Sequence, residues 1–270
     1  MRVLRETALS CEVELGELTV TMLLDGETTM PVDCLRPPGG STPGDLAQGD
    51  HGAGDLVAGR LPLPVRAFLV RGQAGCLLID SGAGTAWHKG LGRLGEALAE
   101  AGSGSQDVTV VALTHTHIDH LSGLVDEDGG LAFPNAGRVL VASEELTAFR
   151  AEPRMIPVLP RLVPLEQGDG PLPGVVAVNA PGHSQGHMAF LVEGRLLIWG
   201  DLVHHPLQFF RPEVTWKFDE DPTQARATRA ELLARAVDEG WIVAGAHLPH
   251  PGIGRLDRDG EAYTFHPVTR

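Results

Sequence analysis

A single tyrosine, and aromatic residues at only 5% of the 270, leave little ring surface to build with. Any core must therefore rest on Val, Leu and Ala. Basic residues are scarce too: 21 Lys and Arg stand against 35 Asp and Glu, a formal charge of −14. No basic run occurs, so the phosphate neutralisation that nucleic-acid binding needs is missing. A small neutral substrate or a cation suits this balance better. The three cysteines, Cys11, Cys34 and Cys76, are odd in number and contain no C-x-x-C pair. That pattern excludes a disulfide framework and predicts buried, reduced thiols, as in a reducing cytoplasm. No uninterrupted apolar stretch reaches the length of a membrane span. Arg5, Glu6, Glu12 and Glu14 break up the N-terminal segment, which excludes the apolar centre of a secretory signal. The expectation is a soluble cytoplasmic protein without a membrane partner.

What is present is ordinary globular composition, 43% hydrophobic and 21% charged. The length suits one sizeable core, and residues 1–270 are read as a single domain. Alternation or β-branched content predicts strands over 18–24, 65–70, 76–79, 108–113 and 139–142, with 65–70 and 76–79 forming a hairpin around the turn RGQAG. The runs GVVAVNA, MAFLVEGRLLIWGD and GWIVAGAH read as further strands that end in polar residues. Helical spacing predicts a helix over 86–101, with Thr85 as cap and Gly102 as stop, and a short one over 144–150. Another covers 222–239, capped by Asp221, opened by Pro222 and ended by Gly240. A Gly/Pro-rich loop or cap at about 33–62 is placed to help cover a substrate. Strands interspersed with helices in both halves predict two β-sheets between helices.

The informative segment is THTHIDHL at 114–121, which follows a buried strand and brings His115, His117, Asp119 and His120 together within six residues. Positions i and i+2 of one helix face different sides, so a loop leaving the strand is needed to aim this set at one centre. Imidazole and carboxylate suit zinc, and also iron, manganese or cobalt. Three more strand ends each carry one candidate: His183 in APGHSQGH, Asp201 in LLIWGDLVHH, and His247 in WIVAGAHLPH. An unpaired carboxylate at the end of an apolar strand is costly, which marks Asp201 as serving a purpose.

The pattern His115-x-His117-x-Asp119-His120, then His183, Asp201 and His247, resembles that of the metallo-β-lactamase superfamily. The upstream FLVRGQAGCLLIDSGAG, with Asp80, looks like that superfamily's opening hairpin. The resemblance covers roughly residues 65–254. It implies a four-layer αββα sandwich of the α/β class. It also implies one metal on His115, His117 and His183, a second on Asp119, His120 and His247, and Asp201 between them. The segments GDLVHHPLQFFRPEVTWKFDEDPTQ and GAHLPHPGIGRL are similar to the branch of methyl parathion hydrolase and quorum-quenching lactonases. Flavodiiron oxidoreductases of the superfamily carry Glu where His117 stands. Glyoxalase II-like thioesterases add a C-terminal helical domain, for which there is no room after His247. A homodimer is implied by resemblance only.

The implied reaction is hydrolysis of an ester-type bond in a small molecule, a lactone (acyl-homoserine lactones included) or an ester. A phosphotriesterase or arylesterase is the alternative. A thioesterase, an iron oxidoreductase and a metal-binding protein without catalysis are less well supported. Two divalent ions, zinc foremost, about 3.5–4 Å apart acidify a shared water and polarise the scissile group. Asp119 is the candidate to orient that water and carry a proton to the leaving group. With a metal-activated water as the attacking group, no protein nucleophile is required. Asp80 is expected to hydrogen-bond a ligand histidine or its loop, and His187 to pack behind the site. His204, His205 and His250 are each candidates for the pocket wall, as are Phe68, Phe133, Phe209, Phe210 and Trp216. His51, His88 and His266 read as surface residues.

Overall fold

The computed structural model describes residues 1–40 and 59–268. The first sheet contains β1 (Arg2–Glu6), β2 (Ser10–Leu15), β3 (Leu18–Pro31), β5 (Arg60–Gly72), β6 (Gly75–Ile79), β7 (Val110–Ala112), β8 (Arg138–Ala142) and β9 (Leu162–Leu165), in that spatial order. The second contains β10 (Val175–Asn179), β11 (Met188–Val192), β12 (Leu196–Ile198), β14 (Ile242–Ala244), β15 (Ile253–Asp259) and β16 (Ala262–Pro267). A two-stranded ribbon pairs β4 (Leu35–Arg36) with β13 (Thr215–Trp216). Strands β6 to β9 are parallel, as are β12 and β14; the other pairs are antiparallel.

Side-chain alternation builds the layers. On β6, Leu77 and Ile79 face the second sheet, whereas Leu78 faces the outer helices. The central core takes Val13, Val20, Phe68 and Ile79 from one sheet and Phe190, Ile198 and Ile242 from the other. Outside the first sheet, Leu69, Val111 and Val141 pack on the helices Leu94–Glu100 and Leu146–Ala151 and the 3-10 segment Pro153–Arg161. Outside the second, Leu197 and Val243 pack on Leu232, Leu233 and Ala236 of the helix Pro222–Asp238. The order helix, sheet, sheet, helix is the αββα sandwich, in which the central strands of each sheet are buried on both faces.

The helix Pro222–Asp238 starts where its sequence says, because the Asp221 side chain accepts from the amides of Thr223 and Gln224. The helix expected over 86–101 is shorter, Leu94–Glu100. Gly92 has a φ of +89°, a conformation that stops a helix from running through it. Thr85 caps nothing there. The cap comes instead from a bulge in β3, where buried Asp25 accepts from the amides of Ala83, Gly92 and Leu94. Beyond the expected strands, the structure contains β1, β2 and the β15–β16 hairpin, which follows His247. The middle of the expected cap lies outside the described residues. Its ends form the turn Val32–Cys34, β4 and the start of β5. Among the described residues no helix is long and apolar enough to cross a membrane.

Candidate metal centre

The side chains converge where strands of both sheets end. His115 lies three residues past β7, and Asp201 and His247 lie three past β12 and β14. His115 and His117 occupy the loop; Asp119 and His120 sit on the one-turn helix Ile118–Leu121, which opens directly after His117. His183 comes from the loop between β10 and β11. All seven sequence candidates meet here. Ligand atoms of His115, His117, His183 and Asp201 lie within 4.8 Å of one another, as do those of Asp119, His120 and His247.

Asp201 stands between the two groups. Its Oδ1 is 3.1 Å from His120 Nε2, and its Oδ2 is 3.3 Å from His183 Nε2 and 3.8 Å from His115 Nε2. His247 Nε2 lies 3.1 Å from both oxygens. Asp119 Oδ2 is 3.6 Å from the Nε2 atoms of both His120 and His247.

For His120, His183 and His247 the opposite nitrogen is held from behind. Asp80 takes His120 Nδ1 at 2.9 Å and also accepts from the amide and hydroxyl of Thr114. Asp80 itself has a φ of +60°, rare for a non-glycine residue, so the β6 turn carries strain at this contact. Asp219 takes His183 Nδ1 at 2.9 Å. The Pro64 carbonyl takes His247 Nδ1 at 2.7 Å. His187 lies behind the centre as expected: Nδ1 donates to the Ala180 carbonyl, and Nε2 accepts from the Asp201 amide at 3.0 Å. Buried Arg229 donates to the carbonyls of Leu202, Pro212 and Val214, so the long helix holds the chain that follows Asp201.

The electrostatics are those of a centre built for cations. Burial works against charge on Asp201, yet His120 and His247 hold its carboxyl well below the ordinary range. Burial likewise disfavours the imidazolium of His183, but hydrogen bonds to Asp201 and Asp219 raise its pKa to about 9. His120 is pushed well above its ordinary value, burial being outweighed by Asp201, Asp119 and Asp80. Burial and neighbouring imidazoles drive His115 well below, and His117 to about 4. His115 Nε2, His120 Nε2 and Asp201 Oδ1 are buried without a hydrogen-bond partner. Buried polar atoms are rarely left this way. Divalent ions, one in each group of ligands, would satisfy these atoms, and imidazole and carboxylate are donors such ions accept. The donor set therefore fits a metal.

The cavity above, about 480 Å³, is lined by Met30, Leu63, Trp87, Thr116, Ile118, Trp216 and Phe218 besides the cluster. Of the aromatic candidates only Trp216 is there. Phe68, Phe133 and Phe209 face the sandwich or helix-side cores, and Phe210 is an exposed residue outside the lining. Met30, Leu63, Trp87, Ile118 and Phe218 gave no sequence signal, because strand and loop positions reveal a shared wall only after folding. Among the three uncertain histidines the structure selects His204. Its Nε2 is 3.2 Å from Asp201 Oδ2, and its ring stacks on Trp216, with centroids 4.6 Å apart, and on His247. His205 turns inward, its Nδ1 accepting from the Leu207 amide, and His250 pairs with Glu6 at the surface. His88 and His266 are exposed, and His51 lies outside the described residues. Asp219 was missed; its only sequence signal is an acid shortly before a helix cap.

The family model described as the metallo-beta-lactamase superfamily matches residues 60–247. The chain belongs to that superfamily. Among solved structures, the hydrolase AbOPH of the beta lactamase superfamily is 26% identical, with a TM-score of 0.87 over 98% of this chain and 99% of its own. The dizinc quorum-quenching lactonase AidC is 22% identical, with a TM-score of 0.85 over 97% and 98%. A probable metal-dependent hydrolase from Staphylococcus aureus is 21% identical, with a TM-score of 0.79 over 96% and 100%. No curated protein matches by sequence. The superfamily and the His/Asp cluster together make this protein a metal-dependent hydrolase.

Proposed function

We propose that the protein hydrolyses neutral lactones or esters with an apolar substituent, acyl-homoserine lactones foremost, at a centre of two divalent ions, zinc by preference. In this reading His115, His117 and His183 hold one ion, Asp119, His120 and His247 hold the other, and Asp201 joins them. The observation that carries the substrate class is the cavity wall: among its described residues there is no Lys or Arg, and its sides are Met, Leu, Ile, Trp and Phe. An anionic substrate would find no counter-charge there beyond the ions, whereas a neutral ester with an acyl chain meets apolar surface. AidC, similar over nearly its whole length, is described in complex with a homoserine product bearing a six-carbon acyl group.

When bound, the ions supply an acidified water and a Lewis acid for the scissile oxygen. The chain does the rest. Trp87, Ile118 and Phe218, each partly exposed at the cavity, seat the apolar group and keep bulk water from it. His204, braced by Trp216, holds a buried ring nitrogen 3.2 Å from Asp201 Oδ2 at the cavity wall. Asp119 lines the cavity and is the group that passes a proton to the departing alkoxide. A second reading, an aryl phosphotriester or aryl ester, is favoured by Trp87, Trp216 and Phe218, which offer ring faces to an aryl leaving group. The test is turnover by zinc-loaded protein of acyl-homoserine lactones of graded chain length, simple lactones, aryl esters and aryl phosphotriesters. The lactonase reading expects kcat/KM to be highest on acyl lactones and to rise with chain length. Inactivity on every lactone alongside turnover of aryl substrates would replace it with the second reading.

A further inference from the structure

Glu145 is buried, 6% exposed, at the end of the 3-10 turn Ser143–Glu145 that follows β8. Among the described residues no arginine, lysine or histidine forms an ion pair with it. Its partners lie on two loops. Oε2 accepts from the Thr116 amide at 3.1 Å and from the Thr116 hydroxyl. Oε1 accepts from the Gly186 amide at 3.1 Å. Thr116 lies between His115 and His117. Gly186 lies in the His183 loop, next to His187, whose ring in turn receives the Asp201 amide. A Cβ on Gly186 would sit 2.7 Å from Glu145 Cγ, so the glycine is what lets the loop come this close.

We propose that Glu145 is a positioning residue for the metal centre, a buried strut that sets the separation of the 114–117 and 182–187 loops. It thereby fixes the half made by His115, His117 and His183. The other half, Asp119, His120 and His247, is braced by Asp80 and the Pro64 carbonyl and does not depend on it. A carboxylate is needed because donors approach both of its oxygens. Glutamine offers one acceptor and would turn an NH2 toward one of the loops. Aspartate keeps the charge but is one methylene short of spanning both. Hydrogen-bonded supports behind metal ligands typically change metal affinity by about 10- to 100-fold.

The inference rests on the two-metal reading and not on the substrate. The test is cobalt(II) titration of the metal-free protein, followed by its visible spectrum and by competition with a chromophoric chelator. His183→Ala and His247→Ala variants supply the spectral signature of each half. Glu145→Gln is expected to weaken the step that His183→Ala removes by at least about tenfold. The step that His247→Ala removes should change by less than about threefold, and the exposed neighbour variant Glu144→Gln should leave both steps unchanged. Equal weakening of both steps, or a lowered melting temperature with both affinities intact, would overturn the proposal and leave Glu145 a fold residue. If Glu145→Gln does not fold, Glu145→Asp is held to the same criterion. Wild-type protein that took up no cobalt would sink the metal reading itself, and the strut with it.

Discussion

At the scale of single residues, the centre is a problem of aiming rings. An imidazole bound through one nitrogen turns freely unless the other nitrogen is held, and here different groups do the holding: Asp80 for His120, Asp219 for His183 and a carbonyl for His247. Asp219 is the most exposed to test, because its two oxygens serve different partners, the His183 ring and the Trp216 amide at 2.8 Å. In Asp219→Asn only one oxygen remains to accept. Zinc affinity of the half bearing His183 is expected to fall about 10- to 100-fold, while the circular dichroism spectrum stays that of the parent. Isothermal titration with zinc reads the first and spectroscopy the second. An unchanged zinc isotherm would mean that the ring is held by packing alone.

Among elements, strand ends decide the geometry. The turn after β12 must bring Asp201 under the loop after β7, and Gly200 permits it with a φ of +53°. A Cβ there would stand 2.8 Å from both His187 Nε2 and Thr114 Cβ. Gly200→Ala is therefore expected to cost at least the roughly 1–3 kcal/mol of a strained backbone, with the clash added, and to lower Tm by several degrees. Gly194 has a similar φ of +60° but open space around its Cα, so Gly194→Ala should show the backbone strain alone. Thermal melts of the two variants separate the terms; equal losses would show that the close approach at Gly200 contributes nothing. The long helix takes part in the same task. Arg229 ties it to the segment carrying Asp201, which explains why a cation sits 1% exposed there.

For the whole molecule, the centre joins the sheets. His115, His117, Asp119 and His120 follow a strand of the first sheet, whereas His183, Asp201 and His247 come from loops and strand ends of the second. Ions that bind only the folded state stabilise it by mass action, about 4 kcal/mol at a thousand times Kd. Removing metal with a chelator is expected to lower Tm markedly, and restoring zinc to recover it, with the far-ultraviolet spectrum of the metal-free protein still native because the three hydrophobic layers remain. Scanning calorimetry with and without zinc checks this. A Tm indifferent to zinc would contradict a centre that spans the two sheets.

Local chemistry sufficed to read much of this from the chain. The seven candidate ligands lie in segments that follow strands, and strands, turns and caps are governed by neighbours a few residues away. Hence β7, β8, β14 and the Asp221-capped helix stand close to where periodicity and cap residues place them. What only the tertiary structure decided involves residues far apart in the chain. Asp25 shortens the helix expected over 86–101 from another strand. Asp219 and Glu145 reach ligand loops 36 and 29 residues away. His204 is separated from His205 by the direction its ring takes and from His250 by its place in the fold, and the cavity wall is assembled from residues as far apart as Met30 and Phe218. Periodicity carries no information about which distant surfaces meet, since that is set by the packing of whole layers; the chemistry of the ligands is visible in the chain, but their aim and the shape of the pocket are not.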